Sequence, residues 1–219
     1  MPSPIEHSAA WSRTDVLQGL GLGALLPEPG GYRLEAGEAV AEGAEHHFTR
    51  FSVRTDLAWA TREVRVEVLS ARGPRTLLLS MRGGHWTGTD GQPLPELVGC
   101  LDADVAATPL TNTLPIRRLG LRPGEYRDIA VAWIDIPSLR VRRVRQRYTR
   151  HPAEDGLERY TYRDPLHGEY LLTVDGDGLV VDYERFARRI AGDAPDTRRK
   201  HAERDNWTGT STASTRERT

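Results

Sequence analysis

The sequence predicts a mostly β domain over residues 1–191, built on a many-stranded antiparallel or mixed sheet with a short C-terminal helix. Three observations predict it. Apolar side chains recur with a period of two along most of the chain, the spacing that sends alternate residues to opposite faces of a strand. Turn-forming clusters of Gly, Asp and Pro separate these runs at short intervals. No regular strand–helix repeat occurs, which argues against a doubly wound α/β sheet. A closed barrel, an open half barrel and a two-layer sandwich all satisfy this periodicity.

The elements follow in order. Tyr32, Leu34 and Ala36 begin one strand; Phe48, Phe51 and Val53 sit in a second, whose imperfect alternation signals a bulge or twist. Val64, Val66 and Val68 alternate with Arg65 and Glu67, giving one buried and one wetter face. Arg72-Gly73-Pro74 marks a turn, Leu77 to Leu79 continue the sheet, and Gly83-Gly84 end that strand. Thr89 to Gln92 read as another hairpin connection. Ile129, Val131 and Trp133 lie in an apolar strand stopped by Pro137, and Leu139 to Tyr148 alternate with arginines. Tyr160 to Tyr162 and Tyr170 to Val174 follow. Asp175 to Gly178 form a tight hairpin, because the remaining ligands of a calcium loop are missing. Phe186, Ala187 and Ile190 share one helical face within Tyr183 to Ala191, which predicts the C-terminal helix. Residues 192–219, rich in Thr, Arg, Asp and Ser, read as a disordered tail.

Composition narrows the function. A chain of 219 residues can bury one substantial core. Thirty basic residues against 31 acidic ones leave a net charge of -1, so no long-range field recruits nucleic acid or an anionic membrane. The arginine-rich strand from Arg140 to Arg147 is the one local exception, and it reads as a solvated sheet face. Every lysine-or-arginine position except Lys200 is arginine, a bias typical of GC-rich genomes. Cys100 is the only cysteine, which excludes intramolecular disulfides and cysteine-rich zinc sites. Met1 to Ala10 lack the pattern of a secretory leader, and no apolar run is long enough for a transmembrane helix. A cytoplasmic location without cofactor or metal is the resulting expectation.

The densest chemistry lies between Gly99 and Arg118. Asp102 and Asp104 share a face if the local chain is extended. Arg117 or Arg118 can pair with either carboxylate or offer a donor fork to a ligand. Thr111, Asn112 and Thr113 supply donors and acceptors, while Pro109 and Pro115 restrict the backbone around them. The same groups would equally serve to tie down a loop. Cys100 has no histidine at a spacing that would make it a nucleophile, and reads as a buried thiol.

The strings Gly99-Cys100-Leu101-Asp102-Ala103-Asp104 and Thr108 to Leu119 closely resemble the glycolipid-binding family, formerly a bacterial domain of unknown function. Asp56 to Arg62, Gln146 to Thr149 and Val174 to Tyr183 resemble its other blocks, so the likeness runs from about Trp11 to Ile190. It implies an open, strongly curved sheet, a half barrel shaped like periplasmic lipoprotein carriers, with a concave surface for a lipid-like or glycolipid ligand. It places Asp102, Asp104, Thr111, Asn112, Arg117, Arg118, Gln146, Tyr148 and Trp59 as ligand-binding candidates. Cys100, Thr108, Pro109, Thr113 and Pro115 enter as structural members of the motif. The glycine-rich piece Val16 to Gly30 departs from the family pattern. Non-catalytic binding of an amphiphile is the leading expectation; hydrolysis of a small ester or glycoside, and a protein-interaction role, are the alternatives.

Overall fold

A computed structural model describes residues 7–165 and 167–192; the expected tail lies outside them. Fourteen strands form one sheet. They are β1 (His7–Arg13), β2 (Gln18–Glu28), β3 (Gly31–Glu42), β4 (Glu45–Thr55), β5 (Thr61–Ser70), β6 (Gly73–Arg82), β7 (His85–Thr87) and β8 (Asp102–Val105). After one helix, α1 (Thr113–Leu119), come β9 (Tyr126–Ile134), β10 (Val141–Glu154), β11 (Leu157–Asp164), β12 (Gly168–Val174), β13 (Val180–Tyr183) and β14 (Ala187–Gly192).

The order across the sheet is β7-β6-β5-β4-β3-β2-β1-β14-β13-β12-β11-β10-β9-β8. Two antiparallel meanders therefore meet where β1 pairs β14, which brings both ends of the described chain to the middle of the sheet. All neighbours are antiparallel except β8 and β9, whose parallel pairing needs the longer crossover that contains α1. The outer strands β7 and β8 terminate the order with no ladder between them. Near that opening, β5 and β8 are linked by single bonds: the Thr61 amide donates to the Leu101 carbonyl (2.8 Å) and the Ala103 amide to Thr61 Oγ1 (3.0 Å).

Two expectations are corrected here. The strongly curved half barrel is replaced by a broad open sheet, whose inner face is covered by the segment from Leu97 to Leu114 and not by the sheet curling on itself. The expected C-terminal helix is absent: Tyr183 to Ala191 form the β13–β14 hairpin, and the α-helix lies mid-chain. The helical spacing of Phe186, Ala187 and Ile190 was a weak local preference. Pairing of β14 with β1, through Ala9, Trp11 and Arg13 opposite Gly192, Arg189 and Ala187, overrides it.

The alternation in sequence is what builds the core. Leu34, Val53, Val64 and Leu79 stand opposite one another across β3 to β6 and are all at most 1% exposed. Five residues further along β3, the row of Leu20, Ala39, Phe48 and Leu69 points to the solvated face. Strand β2 inverts the usual pattern: Leu20 and Leu22 face out, while Gly21 and Gly23 face in and are buried. A Cβ on Gly23 would lie 2.9 Å from Leu110 Cδ2 and 3.1 Å from the Trp11 ring; one on Gly21 would lie 3.0 Å from Thr108 Cγ2. The glycine-rich departure noted above is thus the surface on which the Thr108–Leu110 stretch rests. Gly23→Val is expected to destabilise the fold by about 2–4 kcal/mol through overpacking. Gly176→Ala, where nothing lies within 4 Å, should stay within about 0.5 kcal/mol in the same urea titration.

Candidate functional site

The central segment is held by its own side chains before it meets the sheet. Thr108 Oγ1 accepts the Leu110 amide (3.3 Å), opening a 3-10 turn over Pro109–Asn112 in which Pro109 needs no donor. Thr111 Oγ1 accepts the Val105 amide (3.3 Å), fixing the turn to β8. The turn runs directly into α1, where Pro115 falls in the first turn and leaves no intrahelical bond unmade. Gly120, at φ +52, closes the helix in the left-handed conformation that suits glycine.

The sequence candidates divide into three groups. The buried Asp102 and the part-buried Arg118 form a bidentate pair, Nε to Oδ1 at 2.8 Å and Nη2 to Oδ2 at 2.6 Å, which clamps α1 to β8. Arg117 lies over Trp59 (5.1 Å to the ring), and Trp59 stacks on Tyr32 at 4.0 Å. Trp59 holds a left-handed φ of 65, and Asp56 ties its loop through the Ala58 and Ala60 amides. The third group is a network. Asp104 accepts from Thr111 Oγ1 (3.1 Å) and Gln146 Nε2 (2.6 Å), Gln146 also reaches the Tyr162 hydroxyl (3.0 Å), and Tyr162 donates to Asp164 (2.5 Å). Beside it Tyr148 donates to Asn112 Oδ1 (2.9 Å), and the Asn112 amide donates to the Pro109 carbonyl (3.0 Å).

The remaining motif members anchor the fold. Thr113 donates to the Gly178 carbonyl (2.9 Å), hooking α1 to the β12–β13 turn. The Cys100 carbonyl accepts from Trp86 Nε1 (3.0 Å), and the Cys100 thiol is buried, which raises its pKa against the pull of Arg143. Among the described residues no group of three or more His, Cys, Asp or Glu is placed to hold a metal, and no helix is long and apolar enough to cross a membrane.

One cavity of roughly 300 Å³ opens beside the network. Of the ligand-binding candidates, Asp104 and Asn112 line it, and Thr108 joins them from the structural set. Thr111, Gln146 and Tyr148 stand behind this wall, supporting Asp104 and Asn112. Asp102, Arg118, Arg117 and Trp59 lie outside the lining.

Sequence reasoning missed most of the rest: Arg13, Asp15, Asp135, Tyr162, His167 and Tyr183, together with Arg185 and Phe186 from the β13–β14 turn. A signal existed in the tyrosines. Tyr162 and Tyr170 are direct partners across β11 and β12, and Tyr183 lies within 6.0 Å of the first ring and 5.5 Å of the second. Phe186 continues the stack at 4.8 Å from Tyr183.

The electrostatics sort donors from acceptors. Burial pushes the Asp104 carboxyl upward against the bonds from Gln146 and Thr111, and the nearby Asp164 charge adds to the rise. Burial, then the Asp104 charge, raises Tyr162 and Tyr183, so both phenols stay protonated at neutral pH. Arg13 is the best-anchored cation: it forks onto Asp15 (2.7 and 2.6 Å) and sends its other nitrogen to Glu38 (3.0 Å) and the Ala107 carbonyl (3.0 Å).

Two stability predictions follow from these buried charges. Asp102→Ala, which removes the partner of the part-buried Arg118, should cost about 1–3 kcal/mol in equilibrium unfolding. Glu38 receives one Arg13 nitrogen only, and burial outweighs it, so its carboxyl is pushed up to about 7. A folded value above the unfolded one makes this contribution complete below about pH 4.5 and lost as the pH rises through about 7. Glu38→Gln should flatten that decline by up to about 3 kcal/mol, read from urea unfolding at pH 5 and 8.

Comparison with known proteins sets this site in a family. The family model described as "Putative glycolipid-binding" matches residues 8–189. A DUF1089 family protein of Pseudomonas aeruginosa, known from its crystal structure, is 35% identical, with a TM-score of 0.67 over 78% of this chain and 92% of that one. A beta-barrel-like protein of the domain of unknown function DUF1849 from Brucella abortus shares the fold at 11% identity, with a TM-score of 0.53 over 88% of this chain and 99% of that one. No curated protein matches the chain. From Ser8 to Arg189, across the whole sheet and the central segment, the chain belongs to the family described as Putative glycolipid-binding.

Proposed function

We propose that this chain binds, without covalent chemistry, the hydroxyl-rich head group of an amphiphile such as a glycolipid. The observation that carries this reading is the cavity bounded by both the Asp104–Asn112 wall and the Tyr162, Tyr170, Tyr183 and Phe186 rings. Aromatic faces offer apolar area to the C–H side of a sugar ring, while carboxylate, amide and phenol groups meet its hydroxyls. A volume of roughly 300 Å³ is at the small end for ligand sites, so a head group enters and an acyl chain stays outside. The polar groups are fixed in advance: Asp104 by Thr111 and Gln146, Asn112 by Tyr148, Arg13 by Asp15 and Glu38. Such preorganisation lowers the entropy cost of binding. The family's description points to the same ligand class.

The test is isothermal titration of the full chain with methyl glycosides and with octyl glycosides below their micellar concentration. Tyr170→Ala should weaken binding about tenfold, equivalent to about 1.4 kcal/mol. Leu22→Ser, on the solvated face of β2, should leave it unchanged. Equal affinity in the wild type and Tyr170→Ala, or no heat across the panel, would sink the proposal.

A further inference from the structure

The charges around the cavity are unevenly compensated. Of the two arginines in its lining, Arg13 is fully engaged and Arg185 partly so. Arg13 spends its fork on Asp15 and its remaining nitrogen on Glu38 and the Ala107 carbonyl, and its guanidinium lies 4.1 Å over Phe186. Arg185 donates to the Glu169 carbonyl (2.8 Å), lies 3.7 Å from Glu184 and stacks over Tyr170 at 4.8 Å. Arg13 has no fork left to offer an anionic group, and Arg185 is held at the exposed edge by one carbonyl bond and a long contact to a solvated carboxylate.

The acids stand differently. Asp104 is hydrogen-bonded by neutral donors, the Thr111 hydroxyl and the Gln146 amide, and the basic group that acts on it through space is the His167 ring, itself bonded to Asp164. Asp135, also in the lining, accepts from the Ser138 hydroxyl. Asp164 stands behind Tyr162 and takes the His167 ring at 3.0 Å. An anion entering here meets carboxylates. A cation meets a carboxyl group bonded by neutral donors alone, whose ionised form its own charge favours, among aromatic rings whose faces attract positive charge.

We infer that the cavity selects a head group carrying an ammonium, of the size of one amino-sugar ring, with Asp104 as its counter-ion and the Tyr162, Tyr170 and Tyr183 rings around it. This rests on the head-group reading above and names the chemical class within it. The placement also accounts for the geometry of the support: Gln146 and Thr111 hold the carboxylate from behind, leaving its cavity side for the ligand.

The experiment compares methyl α-glucosaminide, methyl α-glucoside and methyl α-glucuronide by titration calorimetry at about pH 6.5, where the amine is protonated. The wild type should bind the glucosaminide about tenfold tighter than the glucoside, with the glucuronide weakest. In Asp104→Asn the glucosaminide-to-glucoside ratio should fall to about one. Ethanolamine is the second arm: weak competition with the glucosaminide assigns recognition to the amino sugar, and competition as strong as the glucosaminide's own binding overturns that choice of ring. The wild-type ratio decides the matter even if Asp104→Asn fails to fold. Tyr170-dependent glucoside binding with no preference for the amine overturns the inference and leaves the head-group reading intact. No binding of any glycoside overturns both.

Discussion

A strip of missing side chains governs this structure. Gly21 and Gly23 present bare backbone on the inner face of β2, and the Thr108–Leu110 stretch comes within van der Waals distance of it. That contact sets the height of the 3-10 turn above the sheet. The turn in turn aims Asn112 at the cavity and delivers Thr113 and Arg117 to the β12–β13 hairpin. The close approach continues there, since a Cβ on Gly178 would lie 3.0 Å from the Arg117 side chain. An open sheet lacks the enclosed interior of a barrel. The inserted segment supplies the second layer against which the sheet can bury its apolar face.

The polar residues of that layer do two different jobs. Asp102 is out of water and clamped by the part-buried Arg118, a geometry in which removal of the arginine leaves a buried carboxylate. Asp104 sits two residues along the same strand, yet its partners are neutral and its exposed side opens to the cavity. Adjacent members of one motif thus separate into a clamp and a candidate ligand group. Their partners decide this: α1 carries a cation toward Asp102, and β10 carries an amide toward Asp104.

Much of the sheet was legible because burial on one face imposes a period of two. Val64, Val66 and Val68 stand where their alternation puts them. The helix was harder. Thr113 to Leu119 contain a proline and a short apolar run, and only the preceding turn and docking on the sheet make seven residues helical. The reverse error arose at Phe186 to Ile190, where a helical spacing sits in a strand fixed by pairing with a segment more than 170 residues away. The site divides in the same way. Asp104 and Asn112 belong to a local string and could be named from it. Arg13, Asp15, Tyr183 and Phe186 reach the cavity only because β1 and β14 pair in the middle of the sheet, a long-range fact that no window of sequence contains.

The most direct test of the central claim is a backbone-amide NMR titration of the full chain with methyl α-glucosaminide. The account predicts shifts concentrated at Asp104, Asn112, Tyr162, Tyr170 and Tyr183, with the outer-face residues Leu20, Leu22 and Phe48 unmoved. Shifts centred on Trp59 and Arg117, or on the outer face of β2 to β5, would contradict it.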